Sequence, residues 1–289
     1  MKFLLHQLIF VFALLLSLVQ CYSSKKNDTL QYFYSCYEGF PVTVDYTPSI
    51  VSVQNNNSHI CTGIILTTRF VLTSASCLCK NTFLSNTTDN KLRIVASIND
   101  TREIGDIIPV EKVICNPTWD ETVDAVGANV AILQVKGTIN FNSTQRLASF
   151  STSKELPESG LCWFVGFNVS TENTRRHLEY FYITLKSQKY CRKSLINSQN
   201  VSSTSKLDNF MGCGRPEEVI KAHIQDPRPY TEFCNWLGEG SMLACDENFY
   251  GIYDHIIDES KPPIYGFTKL TKIWNFLKTN IPEFNEIEA

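Results

Sequence analysis

Four things are missing from this chain of 289 residues. It has no excess of basic charge: 26 lysines and arginines stand against 29 acidic residues, giving a formal charge of −3 and a pI near 6.0. No field of that sign gathers nucleic acid, so a polyanion-binding role is excluded. There is no internal repeat or low-complexity block. With 43% hydrophobic and 19% charged residues, the chain is neither a disordered tail nor collagen-like. Beyond residue 21 there is no apolar run long enough to cross a bilayer, so no membrane span is expected. Finally, there is no C-x-x-C: Cys77-Leu78-Cys79 lacks the paired spacing of a zinc site, and no metal or cofactor is expected.

What is there begins with a leader. Lys2 precedes an apolar run from Leu8 to Val19, interrupted by Ser17, and Val19 and Cys21 fall at the small-residue positions of a cleavage site. Residues 1–21 read as a secretory signal and 22–35 as a lead-in. Losing Lys2 takes the formal charge from −3 to −4. Losing Cys21 leaves ten cysteines: Cys36, Cys61, Cys77, Cys79, Cys115, Cys162, Cys191, Cys213, Cys234 and Cys245. An even number in an exported chain reads as a disulfide set. Seven N-x-S/T sequons, at Asn27, Asn56, Asn86, Asn99, Asn142, Asn168 and Asn200, point to the same secreted, extracellular setting, on loops expected to face solvent.

The body of the chain alternates short β-rich runs with turn residues. Ile50–Val53, Gly63–Leu66, Phe70–Thr73, Leu92–Val95, Val130–Leu133 and Phe181–Thr184 are examples, and their spacing predicts an all-β sandwich or barrel. One helix is predicted near the C-terminus, where Leu270, Ile273, Trp274 and Leu277 form a single apolar face.

Six segments, in order, carry a resemblance. They are Pro41 with Ser49–Gln54; Cys61-Thr62-Gly63 followed by Val71-Leu72-Thr73-Ser74-Ala75-Ser76-Cys77; Asn129–Leu133; Cys162–Phe167; the pair Cys191 and Cys213; and the interval Cys234–Cys245. Together they resemble the trypsin-like serine proteases over residues 36–282, leaving 283–289 as a tail. The resemblance implies an all-β fold of two packed six-stranded antiparallel β-barrels with a C-terminal α-helix. It also implies the disulfides Cys61–Cys77, Cys162–Cys245 and Cys191–Cys213. Of the four cysteines left, Cys79 and Cys115 would sit on neighbouring loops. Cys36 would sit beside the segment after Cys234, making Cys36–Cys234 an internal latch.

The chemistry of that family needs a serine, a histidine to take its proton and an aspartate to orient the histidine. Ser76 stands at the histidine position, and a hydroxyl cannot act as a general base near neutral pH. Asn129 stands at the aspartate position and carries no charge. The interval Cys234–Cys245 is one residue longer than the family's. Counting from Cys234 puts Gly238 at the nucleophile, counting back from Cys245 puts Glu239 there, and matching G-E to G-D puts Gly240 there. Gly240 is taken as the degenerate position, and Ser241, one place away, is the alternative nucleophile. His59, His177, His223 and His255 do not align with the catalytic histidine.

By the same resemblance, Ile256 and Tyr265 replace the small walls of the specificity pocket, above an acidic base at Glu232 beside Phe233. Ser35 stands where an activating cut needs a basic residue, and Lys25 and Lys26 lie too far upstream. The reading is a secreted, inactive protease homologue of the insect extracellular type. It would act by binding extracellular proteins, such as proteases or their inhibitors, as cofactor, decoy or scaffold. The alternative is an atypical serine endopeptidase using Ser241.

Overall fold

The computed structural model describes residues 39–80, 92–119, 128–150, 162–168, 176–199, 211–216, 237–258 and 263–286, all within one contact unit. The signal segment, the lead-in, Cys36, Glu232, Phe233, Cys234 and His223 lie outside the described residues.

After the two-residue β1 (Phe40–Pro41), the chain enters β2 (Ile50–Asn55) and turns directly into β3 (Ser58–Ile65). Asn55 pairs with Ser58, and the two residues between them, Asn56 and Asn57, have φ of 49° and 66°. Asparagine tolerates this left-handed region, and a two-residue turn with both φ positive matches the twist of the strands it joins. With β4 (Phe70–Thr73), β5 (Leu92–Ala96), β6 (Asp106–Cys115) and β7 (Ala131–Val135), the strands close an antiparallel barrel in the order β2-β3-β4-β7-β6-β5.

The second barrel comprises β8 (Cys162–Phe167), β9 (Leu178–Lys186), β10 (Met211–Arg215), β11 (Met242–Cys245), β12 (Asn248–Asp258) and β13 (Ile264–Lys269). They run β9-β10-β13-β12-β11-β8, pairing of β8 with β9 closes the ring, and β1 adds to β9 through Phe40 opposite Tyr180. The fold is therefore the expected pair of six-stranded antiparallel barrels.

Alternation along each strand divides the core. Val51, Val53, Val71, Ile94 and Leu133 fill the first barrel. Gly63 lies among them because a Cβ there would meet Val71 at 2.8 Å and Val51 at 2.9 Å. Outward residues of the first barrel, Ile50, Ile64, Leu72 and Ile132, join Val165, Phe167 and Ile252 of the second in a shared apolar layer. Thr62 stitches this seam: its Oγ accepts from the Phe167 N–H at 3.0 Å and its N–H donates to the Glu239 carbonyl at 2.9 Å.

Two α-helices are described. The second, α2 (Leu270–Asn280), buries Leu270, Ile273 and Leu277, as its period predicts. The first, α1 (Gln188–Gln199), was not expected. It is mostly polar and holds on by Cys191 and Leu195, one turn apart and both buried. A 3-10 turn at Pro282–Asn285 follows α2, and Phe284 is fully buried against Phe150 and Trp274. Packing thus continues into residues 283–286, where the sequence placed a tail. The disulfides among the described residues are Cys61–Cys77, Cys79–Cys115, Cys162–Cys245 and Cys191–Cys213.

Candidate functional site

Four short segments converge where the barrels meet. Ser76 sits in a 3-10 turn, Ala75–Cys77, after β4. Asn129 lies two residues before the start of β7, Glu239 lies in the turn before β11, and Asp254 is on β12.

The hydrogen bonds fix every role. The Ser76 N–H donates to Asn129 Oδ1 at 2.8 Å, which turns the amide so that Nδ2 faces inward. Nδ2 donates to Asp254 Oδ1 at 2.6 Å and to Ser76 Oγ at 3.3 Å. The Ser76 hydroxyl donates to Glu239 Oε2 at 2.6 Å. Its proton being engaged, Ser76 Oγ accepts from Ser74 Oγ, 2.8 Å away. Asn129 and Asp254 are buried, Ser76 is half-buried and Glu239 reaches the surface.

Glu239 is the side chain that meets Ser76, which is the register counted back from Cys245. Gly240, the residue chosen from the sequence, has φ of 84°, and a Cβ there would collide with the Thr62 carbonyl. A Cβ at Gly238 would collide with the Phe167 carbonyl. Both glycines let the turn press into the seam, and they leave Glu239 as the residue that projects.

Ser241 is wholly buried, with its hydroxyl donating to the Gly238 carbonyl at 2.6 Å beneath Gly166. Among the described residues, the partners of Ser241 Oγ and Ser76 Oγ are the Gly238 carbonyl, Ser74, Asn129 and Glu239, and none is a histidine. His59 Nδ1 lies 2.8 Å from Ser52 Oγ, and its ring packs on Phe167. Burial, helped by the nearby Arg176 charge, pulls its pKa down to about 3, so the ring is neutral at pH 7. His177 pairs with Asp100 at 3.4 Å, and His255 Nδ1 lies 3.4 Å from Asp254.

A carboxylate beside a serine is a poor substitute for histidine. Carboxylates as a class are weaker bases than imidazole and draw a hydroxyl proton less strongly. Sulfurs of Cys61 and Cys77 also approach Glu239, but they are bonded to each other and offer no thiolate to a metal.

Beside this cluster, Tyr265 is 1% exposed, and its ring packs on Phe181, Tyr253 and Phe164 at centroid distances of 5.0, 6.1 and 6.4 Å. Ile256 pairs with it across the β12–β13 ladder. Burial raises the pKa of both tyrosines, and for Tyr253 the charges of Asp254 and Glu239 add to the rise.

Asp254 was not foreseen. Its signal in the sequence was a single carboxylate inside the apolar run Phe249–Ile257, a place where an acid must find a partner. Of the sequons, Asn27, Asn86 and Asn200 lie outside the described residues, while Asn56 and Asn142 are exposed. Asn99 and Asn168 are half-buried, contrary to expectation, because each is built into the fold. Asn99 Oδ1 accepts from the Val44 N–H at 2.7 Å; Asn168 Nδ2 donates to Glu179 Oε1 at 2.8 Å.

Comparison with known proteins agrees with the two-barrel fold. The family model named Trypsin matches residues 37–218. The chain is 26% identical to Trypsin 5G1 of Aedes aegypti over 181 residues, covering 61% of this chain and 65% of that protein. It is 25% identical to human Granzyme M over 129 residues, covering 44% and 47%. These matches span less than two thirds of either relative's length. Among solved structures, neuropsin, a serine protease expressed in mouse brain, superposes with TM-score 0.62 at 16% identity, covering 84% of this chain and 99% of its own. The scabies mite inactivated protease paralogue S-D1 gives 0.63 at 17% identity, covering 84% and 96%. On the family match and the two-barrel fold together, the chain belongs to the trypsin family of serine endopeptidases.

Proposed function

We propose that this family member is a secreted pseudoprotease that acts by binding. The observation that carries the reading is the Ser76–Glu239 hydrogen bond: a hydroxyl and a carboxylate face each other where the family sets its histidine against its serine. In this reading Ser76, Asn129 and Glu239 are the three altered triad positions. Tyr265 supports it: by the resemblance it stands at a wall of the specificity pocket, and a large buried ring there leaves less room for a substrate side chain. So does Ser241, whose buried hydroxyl is unsuited to attack. One fold neighbour, the scabies mite paralogue, is itself described as inactivated.

The binding role is that of a cofactor, decoy or scaffold among extracellular proteases and their inhibitors, of the kind found in insect fluids. The leader at 1–21, the sequons and the disulfides support secretion. A Cys36–Cys234 bridge would tie covalently what an active protease ties by its buried N-terminus, and Ser35 in place of a basic residue fits a chain that needs no activating cut.

The test is to treat the purified secreted protein with a fluorophosphonate probe and a panel of fluorogenic peptides. No labelling and no hydrolysis are expected. Stoichiometric labelling at Ser241 or Ser76 would overturn the reading.

A further inference from the structure

We propose that Cys61, Cys77 and Glu239 form a redox-gated zinc site. A dithiol reductant opens the Cys61–Cys77 bridge, and the two thiolates then hold the ion together with the Glu239 carboxylate. One ligand atom from each residue already lies within 4.8 Å of the other two. This goes beyond the pseudoprotease reading and holds whether or not the triad region hydrolyses anything.

While the bridge is closed, the groups around Cys77 have nothing to bond to. Its sulfur lies 3.2 Å from Glu239 Oε2 and 3.7 Å from the Ile60 carbonyl oxygen. Both oxygens are acceptors, and a bridged sulfur has no proton to give. Ile60 is the extra residue of a bulge in the β2–β3 ladder, where Val53 pairs with Cys61 and Gln54 with His59. Bulge and carboxylate therefore converge on a sulfur that answers them only as a thiol or through a bound cation. A reductant can reach it. Both described bridges of the second barrel join buried cysteines, whereas Cys77 is half-buried and adjoins the exposed Glu239.

The three ligands stay together without the bridge. Cys61 is held on β3, and the N–H of the next residue, Thr62, donates to the Glu239 carbonyl at 2.9 Å. Cys77 closes the 3-10 turn Ala75–Cys77, which is tied down by the Ser76 N–H to Asn129 Oδ1 at 2.8 Å and by the Cys79 N–H to the Ala75 carbonyl at 2.7 Å. Thr73 Oγ donates to the Thr62 carbonyl at 2.8 Å, joining β3 to the strand that leads into the turn. None of these bonds passes through a sulfur. The Ser76 hydroxyl, 2.6 Å from Glu239 Oε2, orients the carboxylate as an outer hydrogen-bond partner orients a metal ligand.

Ligand type selects the ion. Two thiolates with one carboxylate suit zinc, while calcium and magnesium require oxygen throughout. Three protein ligands leave the fourth corner of a tetrahedron open beside the exposed Glu239. The step balances: the dithiol gives two electrons and two protons to the bridge and leaves as a disulfide, and zinc then displaces the two protons from Cys61 and Cys77.

The full secreted protein is treated with a dithiol, freed of it under anaerobic conditions and titrated with cobalt(II), then with zinc. One equivalent of cobalt should give a thiolate charge-transfer band that zinc bleaches, and the untreated protein should give none. C61S/C77S should lose the band. Zinc affinity, read against a chromophoric chelator, should fall about tenfold in S76A and further in E239Q. A bridge that the dithiol leaves closed, no band in the reduced protein, a band that survives C61S/C77S, or unchanged zinc affinity in E239Q and S76A would overturn the proposal. Loss of the near-ultraviolet circular dichroism on reduction would do the same, because the site rests on bonds that outlast the bridge. Peptide hydrolysis is read separately, so failure here leaves the pseudoprotease reading standing, and the reverse also holds.

Discussion

Asn129 lets a buried acid be tolerated. Its amide is the hydrogen-bond donor facing Asp254, so N129A leaves that carboxylate without the donor and should cost about 2–3 kcal/mol in urea denaturation. N129D should behave differently. It sets two carboxylates at hydrogen-bonding distance, and they can share a proton but cannot both ionise cheaply. Their folded-state affinity for that proton rises above the unfolded value, so the variant should gain stability relative to the parent as pH falls into the carboxylate range and lose it as pH rises. His59 gives the opposite sign. Its folded pKa, about 3, lies below the unfolded value near 6.5. The parent should therefore hold this contribution above pH 6.5 and lose it progressively toward pH 3. H59Q should narrow its stability gap to the parent at pH 4.5 compared with pH 7.5. At this scale fixed spacing singled out Ser76 and Asn129, two residues distant in sequence that the fold brings into contact. It was ambiguous at Glu239, because one extra residue between Cys234 and Cys245 left three registers open. Of the three, Glu239 is the one whose side chain meets Ser76, a contact that spacing does not carry.

At the scale of elements, a sequon is only as usable as the backbone that carries it. Asn56 sits exposed in a hairpin turn and Asn142 in an exposed turn where its Oδ1 accepts from the Thr144 N–H at 2.7 Å. Asn168, by contrast, directly follows β8 with its amide nitrogen tied to the buried Glu179. Peptide mass spectrometry after enzymatic deglycosylation in heavy-oxygen water should find Asn56 and Asn142 modified and Asn168 unmodified. Strands and α2 were readable because their burial has a period. Helix α1 was not, since Cys191 and Leu195 are too few to make a stripe, and a covalent bridge to Cys213 supplies the anchoring that an apolar face supplies in α2.

Across the whole molecule, the described bridges lie within barrels: Cys61–Cys77 and Cys79–Cys115 in the first, Cys162–Cys245 and Cys191–Cys213 in the second. The seam between barrels depends on the apolar layer and on Thr62. Cys79 and Cys115 are separated by 36 residues, and chain-entropy arguments assign such a loop about 4 kcal/mol. The C79A/C115A protein should be less stable by about that amount in equilibrium denaturation, with its second barrel still formed by near-UV circular dichroism of the aromatic cluster around Phe164. The two-barrel architecture could be inferred from the order of six segments. How the seam is closed could not, because Thr62, Gly166 and Gly240 acquire meaning only when two distant strands touch.

The position of Asp254 also bears on descent. In an ancestor that carried an aspartate at position 129, an acid at 254 would have been opposed by its neighbour. Once both the amide at 129 and the acid at 254 are in place, each protects the other. A chain that gained an aspartate at 129 while keeping Asp254 would pass through a destabilised intermediate, so the change tolerated first is the one on β12. The pair behaves as a ratchet: while Asp254 remains, an acid at 129 is disfavoured, and while Asn129 remains, the acid at 254 keeps its donor.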